Sequence, residues 1–372
     1  MRTKTILIGL FVIVTVSLYG CAKQETQEIK IGAILPLTGD IASYGKRAQK
    51  GIEIALEEIN GSVQYHMKIA VDFQDGRGNA KESVTLMKKF CSINKYPVVI
   101  GAAASSVSLA MVPIANQYKI LQISPISSSP ALTTKGGKYF FRVCPSDAFQ
   151  AVILAEWMRE LKIESVGILF VNNSWGISLQ DRFVEEFKAR GGKIATVESC
   201  KDGDRDFRTQ LSKIIASEPD ALYSPTYGKE GGIILKQTKE LGFKKKIFGS
   251  DVWSSPELLT SAGDAANGVF LVKPAEYKGD AYQAFRDKYF AKYNEEPDVY
   301  AAYSYDVSMI LARAFAAGKT AGPELCEYLL TMPAYDGVTG VTQFDDNGDC
   351  NTKAFIRQQI QDNKYIEIAM HQ

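Results

Sequence analysis

Ile29-Lys30-Ile31-Gly32-Ala33-Ile34-Leu35 is followed by a polar loop, by residues 46–60, and then by residues 68–74. The first segment is an apolar run of strand length. The second sets Ala48, Ile52, Ala55, Leu56 and Ile59 on one face at helical spacing. The third is again extended and largely apolar, so the stretch reads as strand, helix, strand. Outward from it the same unit repeats. Val84, Met87, Phe90 and Cys91 stripe the next helix, and residues 97–101 and 120–123 are short apolar strands suited to the middle of a parallel sheet. Alternation of this kind predicts a doubly wound α/β sheet.

A second set begins after Arg142. Val152, Ala155, Met158 and Leu161 stripe a helix, and residues 165–171 form a buried strand. Leu179, Phe183, Val184 and Phe187 give another helix. Strands follow near 193–198, 220–224 and 246–249, with Phe207, Leu211, Ile214 and Ile215 on a helix among them. The tail changes character: residues 280–332 read as long helices, the first striped by Tyr282, Phe285, Tyr289 and Tyr293, without strands for a third sheet. Those helices are expected to cover the first sheet before the chain returns to the second. The chain therefore divides into one lobe of residues 29–146 plus 277–345 and another of 147–276 plus 346–372. Crossings fall near 146, 276 and 345.

The N-terminus is not part of that fold. Arg2 and Lys4 precede an apolar run from Thr5 to Leu18, a secretory signal over residues 1–20. The run is shorter than the roughly 20 residues a permanent membrane helix needs. Leu18-Tyr19-Gly20-Cys21 looks like a bacterial lipobox, which predicts acylation of Cys21 and cleavage before it. Residues 21–28 then form a lipidated, charged tether. The protein is expected at the cell envelope, held by its lipid on the periplasmic face of a membrane or the outer face of the cell membrane.

Loss of Arg2 and Lys4 with the signal turns the net charge of +1 into about −1, and no basic excess points to nucleic acid. Five cysteines remain besides Cys21: Cys91, Cys144, Cys200, Cys326 and Cys350. Export permits disulfides, an odd number leaves at least one thiol free, and Cys326 with Cys350 is the preferred pair. Without Cys-x-x-Cys spacing, and with only His66 and His371 to assist, no metal site is expected. Asp75-Gly76-Arg77-Gly78-Asn79 lacks the third glycine of a dinucleotide loop and reads as a turn. Asp345-Asp346-Asn347-Gly348-Asp349 lacks the closing glutamate of a calcium loop and reads as an Asn-Gly hairpin. There is no Gly-x-Ser-x-Gly elbow, phosphate-binding loop or His-Glu-x-x-His helix, so neither catalysis nor a cofactor is expected.

Candidate binding residues stand at strand ends, where parallel sheets place their ligands. Ser105-Ser106 follows one strand and opens a helix; Ser127-Ser128-Ser129 follows the next. Small hydroxyls there cap a helix, and the same free N–H groups bind an anion. Asp251 follows an apolar strand of the second set, where it reads either as a cap or as a carboxylate for a ligand cation. Trp175 lies in the polar loop Asn172-Asn173-Ser174-Trp175-Gly176, Tyr44 in a similar loop, and Tyr227 after Pro225-Thr226.

The order of these segments resembles the type I periplasmic binding proteins of the leucine/isoleucine/valine-binding family. The resemblance is carried by Ile31-Gly32-Ala33-Ile34-Leu35-Pro36-Leu37-Thr38-Gly39, Ala42-Ser43-Tyr44-Gly45, Val99-Ile100-Gly101 with Ser105-Ser106, and Ile123-Ser124-Pro125-Ile126-Ser127-Ser128. It continues in Arg142-Val143-Cys144-Pro145-Ser146-Asp147 with Gln150, in Ser174-Trp175-Gly176, and in Thr339-Gly340 to Phe344-Asp345 with Gly348. It implies two doubly wound lobes joined by three hinge crossings, closing on a ligand. It further implies an α-amino acid ligand, with its carboxylate at Ser105. The Ile126 carbonyl and Asp251 would hold its ammonium, Ser128 stands at a binding position usually held by threonine, and Tyr44, Trp175 and Tyr227 would form the cleft walls. The implied partners are the permease subunits of an ABC importer, served by a monomer. Ala103 and Ala104 are smaller, and Trp253 larger, than expected beside such a site, which implies a reshaped pocket. Two alternatives stay open: an amide, short-chain or aromatic carboxylate as ligand, and a sensory module in place of a transport receptor.

Overall fold

The computed structural model describes residues 27–369. The signal 1–20, Cys21, residues 22–26 of the expected tether and His371 lie outside them. Five parallel strands make the first sheet: β1 (Gln27–Leu35), β2 (Met67–Asp75), β3 (Val98–Gly101), β4 (Leu121–Ser124) and β5 (Phe140–Arg142), in the order β2-β1-β3-β4-β5. The first strand takes in the last two residues of the expected tether, because Gln27 and Glu28 pair with Met67 and Lys68 on β2.

The second sheet repeats the plan with β6 (Ser165–Val171), β7 (Lys193–Cys200), β8 (Ala221–Ser224), β9 (Lys246–Gly249) and β10 (Phe270–Pro274). A small hairpin, β11 (Tyr335–Gly337) and β12 (Gly340–Thr342), precedes two further strands, β13 (Phe355–Gln361) and β14 (Lys364–Ile368). The sheet order is β14-β13-β10-β9-β8-β6-β7, with β13 and β14 antiparallel. This lobe is therefore mixed at one edge and not wholly parallel as expected. In both sheets the strand order reverses beside the first strand of the set, at β1/β3 and β6/β8. A crevice beyond the strands' carboxyl ends opens at such a point.

The chain passes between the sheets three times: at residues 143–146, 275–279 and 343–354. Arg142 fixes two of these passages together. Its side chain is fully buried, and its Nε and Nη2 donate to the Asp349 carboxylate at 2.6 and 2.9 Å. Asp345 turns the third passage, its carbonyl accepting the Gly348 N–H at 2.9 Å. The helices Asp280–Tyr293, Val299–Ala316 and Gly322–Thr331 supply Phe285, Tyr289, Ile310 and Leu325 to the core of the first lobe.

All five described cysteines are buried and free, so the expected Cys326–Cys350 disulfide is absent. Cys326 points from its helix into the first lobe's apolar core, while Cys350 sits in the third passage, bridged to Phe344 and bonded through sulfur to Thr352.

Gly51 illustrates how tightly the first lobe is packed. The helix Ala42–Gly61 lies against Val299–Ala316 so closely that a Cβ at Gly51 would stand 2.0 Å from the Ala301 carbonyl oxygen. Alanine in place of a helical glycine ordinarily stabilises by about 1 kcal/mol. Here the clash wins, and Gly51→Ala is expected to cost about 1–3 kcal/mol, read as a lower thermal midpoint.

Candidate ligand-binding cleft

The segments that follow β3 and β4 are stitched together by serines. Ser108 Oγ accepts from the Ala102 N–H at 2.9 Å and lies 2.7 Å from Ser127 Oγ. Ser124 Oγ and Ser127 Oγ both donate to the Ala102 carbonyl, at 2.7 and 2.9 Å. Arg142 Nη1 donates to the Ser129 carbonyl at 2.8 Å, which ties this cluster to the hinge. Ser127 is thus scaffold. Ser128 is left facing the cleft.

The helix Ser105–Tyr118 is not capped as expected. Its N-cap is Ala104, with no side-chain cap bond, and Ser105 is the first helical residue. The N–H groups of its first turn are therefore free of a side-chain oxygen, at the positive end of a helix. Ser105 is buried, and its Oγ accepts from the Ser129 N–H at 3.2 Å. Ser106 is half-buried on the helix flank and does not line the cavity.

From the second lobe, Asp251 opens a 3-10 turn after β9 without a side-chain cap bond. Capping of the following helix, Pro256–Ala262, falls to Ser255, whose Oγ accepts the Leu258 N–H at 3.3 Å. The cap reading of Asp251 is thereby set aside, and its carboxylate faces the cleft. Gln150 braces it: Nε2 donates to Asp251 Oδ1 at 3.0 Å, and Oε1 accepts the Asp251 N–H at 3.1 Å.

Asp147, at the start of the helix Asp147–Glu160, went unassigned in the sequence. It is buried and accepts from Ser128 Oγ at 2.7 Å, Trp175 Nε1 at 2.8 Å and Gln150 Nε2 at 3.2 Å. Burial, together with the charge of Asp251, pushes its carboxyl up to about 8. Burial likewise raises Asp251, against the opposing Gln150 hydrogen bond.

Aromatic rings complete the walls. Trp175 stacks on Tyr227 with centroids 5.1 Å apart at 13°, and Tyr44 meets Tyr300 edge-on at 5.4 Å. The cleft they bound is lined by Ile41, Tyr44, Ala103, Ala104, Ser105, Ile126, Ser128, Trp175, Tyr227, Asp251, Val252 and Tyr300. Seven of the eight ligand residues expected from the sequence thus meet there, Ser106 being the exception. Tyr300 was missed because it is one of several small and aromatic residues on a helix that reads as core. Trp253 does not reshape this pocket. It is buried beneath it, in space left by Gly231 and Gly249, with Nε1 donating to the Thr226 carbonyl at 2.8 Å. A second chamber of about 1000 Å³, open to solvent, adjoins on the hinge side and shares Ile126, Ser128, Asp251 and Tyr300.

The lobes touch across the cleft. Arg47 Nη2 pairs with Glu257 Oε1 at 2.6 Å, and Ser129 Oγ donates to Ser178 Oγ at 2.9 Å; Asp298 of Arg47's own lobe holds the guanidinium from the other side at 3.3 Å. Among the described residues no group of side chains is placed to hold a metal ion, and no helix is long and apolar enough to cross a membrane.

Two α/β lobes closed on an apolar cleft, with a bare helix start on one side and a carboxylate on the other, define a protein that encloses a small solute. The sequence profile described as "Periplasmic binding protein" matches residues 28–364, and the chain belongs to that family of extracytoplasmic, non-catalytic receptors. It is 28% identical to the Leu/Ile/Val-binding protein homolog 1 of Brucella abortus over 95% of each chain. Among solved structures it is similar to the leucine-binding protein LivK of Thermotoga maritima, with a TM-score of 0.84 at 29% identity, covering 92% of this chain and 98% of that one. It is also similar to the branched-chain amino acid binding protein LivJ of Streptococcus pneumoniae in complex with isoleucine, with a TM-score of 0.82 at 28% identity over 92% and 100%.

Proposed function

We propose that the protein is the receptor of an ABC importer and that it encloses a free α-amino acid. One observation carries this reading. Ser105 at a bare helix N-terminus and Asp251 from the opposite lobe face the same apolar cavity. The ligand carboxylate lies on the helix start and the Ser105 hydroxyl; the ammonium lies among the Ile126 carbonyl, Ser128 and Asp251. Each end is matched to a group of opposite sign, and exclusion of water strengthens both contacts. Tyr44, Trp175, Tyr227 and Tyr300 take the apolar side chain. No lysine or arginine is among the described residues lining this cavity, so an acidic side chain finds no cation there, and aspartate and glutamate are expected to bind more weakly than apolar amino acids.

Acylation of Cys21 would keep the receptor at the membrane, and the closed lobes would present the bound amino acid to two permease subunits. The resemblance to leucine- and isoleucine-binding receptors supports this reading.

Thermal shifts test it. The chain without residues 1–21 is unfolded and refolded to strip any carried ligand, then scanned with the twenty amino acids, their deaminated acids and their amides. A ligand at 100 times its Kd stabilises by about 2.7 kcal/mol, a visible rise in midpoint. Apolar or small polar amino acids are expected to raise it, and their deaminated counterparts are not. A response to deaminated acids alone would reject the ammonium site.

A further inference from the structure

Two carboxylates, Asp147 and Asp251, are bridged by one amide of Gln150 in the buried floor of the cleft. No cation touches either within hydrogen-bonding range among the described residues. The nearest ones serve other carboxylates. Arg142 pairs with Asp349, and Lys273 Nζ lies 2.5 Å from Glu276. Both carboxylates therefore rest in a site of excess negative charge, and the phenol of Tyr223 buried near them adds no compensation. Two like charges this placed do not both ionise freely; the pair holds a proton.

The consequence reaches the ligand through Ser128. When Asp147 is ionised, the Ser128 hydroxyl donates its only proton to it, and the lone pairs of Ser128 are free to accept from an ammonium. When Asp147 is protonated, its own O–H can donate to Ser128, which then turns its proton toward the cavity and presents a donor. The state of Asp147 thus sets which sign of group Ser128 receives. Trp175 Nε1 holds the same Asp147 oxygen within the second lobe, while Ser128 reaches it from the first, so the Ser128–Asp147 contact belongs to the closed cleft.

We infer that Asp147 is a specificity-determining residue that touches the ligand through Ser128, and that capture of an ammonium expels one proton from the Asp147–Asp251 pair. The inference rests on the amino-acid reading above. In the balance of the step, the ligand brings one positive charge to the pair and one proton leaves to solvent; no bond of the ligand is made or broken. A carboxylate without an ammonium brings no such charge and expels nothing.

The sign of the pH dependence follows. In the closed cleft the Asp147 carboxyl sits near 8, and an ammonium beside the pair lowers it. Below about pH 8 the ligand must displace the proton, so affinity is highest near pH 8. It falls by up to about tenfold for each pH unit below that, until the lowered value of the bound state is reached.

Calorimetric titration of the stripped protein with each of the twenty amino acids, in two buffers of different ionisation enthalpy, counts the protons. The expected count at pH 7 is about one released per ligand bound. Asp147→Asn keeps the shape of the site and is expected to bind at least tenfold more weakly, with no proton released and a flat pH profile. The wild-type count needs no variant to fold. Binding without proton release in the wild type, or release that persists in Asp147→Asn, overturns the inference while leaving the amino-acid reading intact. If none of the twenty binds, both fall together.

Discussion

Asp251→Asn is expected to weaken amino-acid binding at least thirtyfold while leaving the fold as stable as before. The substitution keeps the size of the side chain and the acceptor for Gln150 Nε2, so the brace at 3.0 Å survives. What it removes is the charge opposite the ligand ammonium. Truncating one partner of a desolvated charge pair costs about 2–5 kcal/mol, most of it in the dissociation rate. No ion pair inside the protein is lost, because Asp251 bonds to the neutral Gln150 and its carboxyl is already raised by burial. Calorimetry reads the affinity and urea unfolding the stability. Equal affinity for wild type and variant would remove Asp251 from the site. A large fall in stability would mean its role is structural.

The second large effect concerns the hinge. Arg142→Met is expected to destabilise the protein by about 3–5 kcal/mol, the usual cost of leaving one member of a buried pair alone. Asp349 would stay buried without its guanidinium, and the Ser129 carbonyl would lose a donor at 2.8 Å. The urea midpoint should fall at unchanged slope. Because the same guanidinium fixes the loop carrying Ser128, ligand affinity should fall with it. Pairing the change with Asp349→Leu should restore much of the stability, since a buried ion pair replaced whole by apolar groups is often neutral, but not the affinity. Full recovery of both would show that the loop is held without Arg142.

Much of the site was legible because parallel sheets expose their strand ends. Ser105, Ile126, Ser128 and Asp251 all follow apolar runs, and a polar residue at that point has few roles besides capping and binding. The structure settles only the capping half of that choice. Ser255, not Asp251, caps its helix, and Ala104 leaves the helix after β3 uncapped. Asp147 was hidden for the same reason in reverse, since Ser146-Asp147 is an ordinary helix start. Only the fold brings Ser128, Trp175 and Gln150 onto its carboxylate. Tyr300 lies in a helix buried on nearly every side, so periodicity could not single out the ring that faces the cleft. Strands β13 and β14 were missed because Phe355–Gln361 is rich in Arg and Gln and alternates poorly. Pairing with β10 and burial of Phe355 and Ile360 make it a strand. The cysteines failed as a guide because their spacing carries no geometry: each thiol is packed in its own surroundings.

A crystal structure of the stripped protein after saturation with the amino acid that gives the largest thermal shift tests the central claim most directly. The predicted result is one amino acid in the cavity between Trp175 and Tyr300, its carboxylate on the Ser105 N–H and hydroxyl. Its ammonium should lie within hydrogen-bonding distance of the Ile126 carbonyl, Ser128 Oγ and Asp251. An amino acid bound elsewhere, or one whose ammonium lies away from Asp251, would contradict the account.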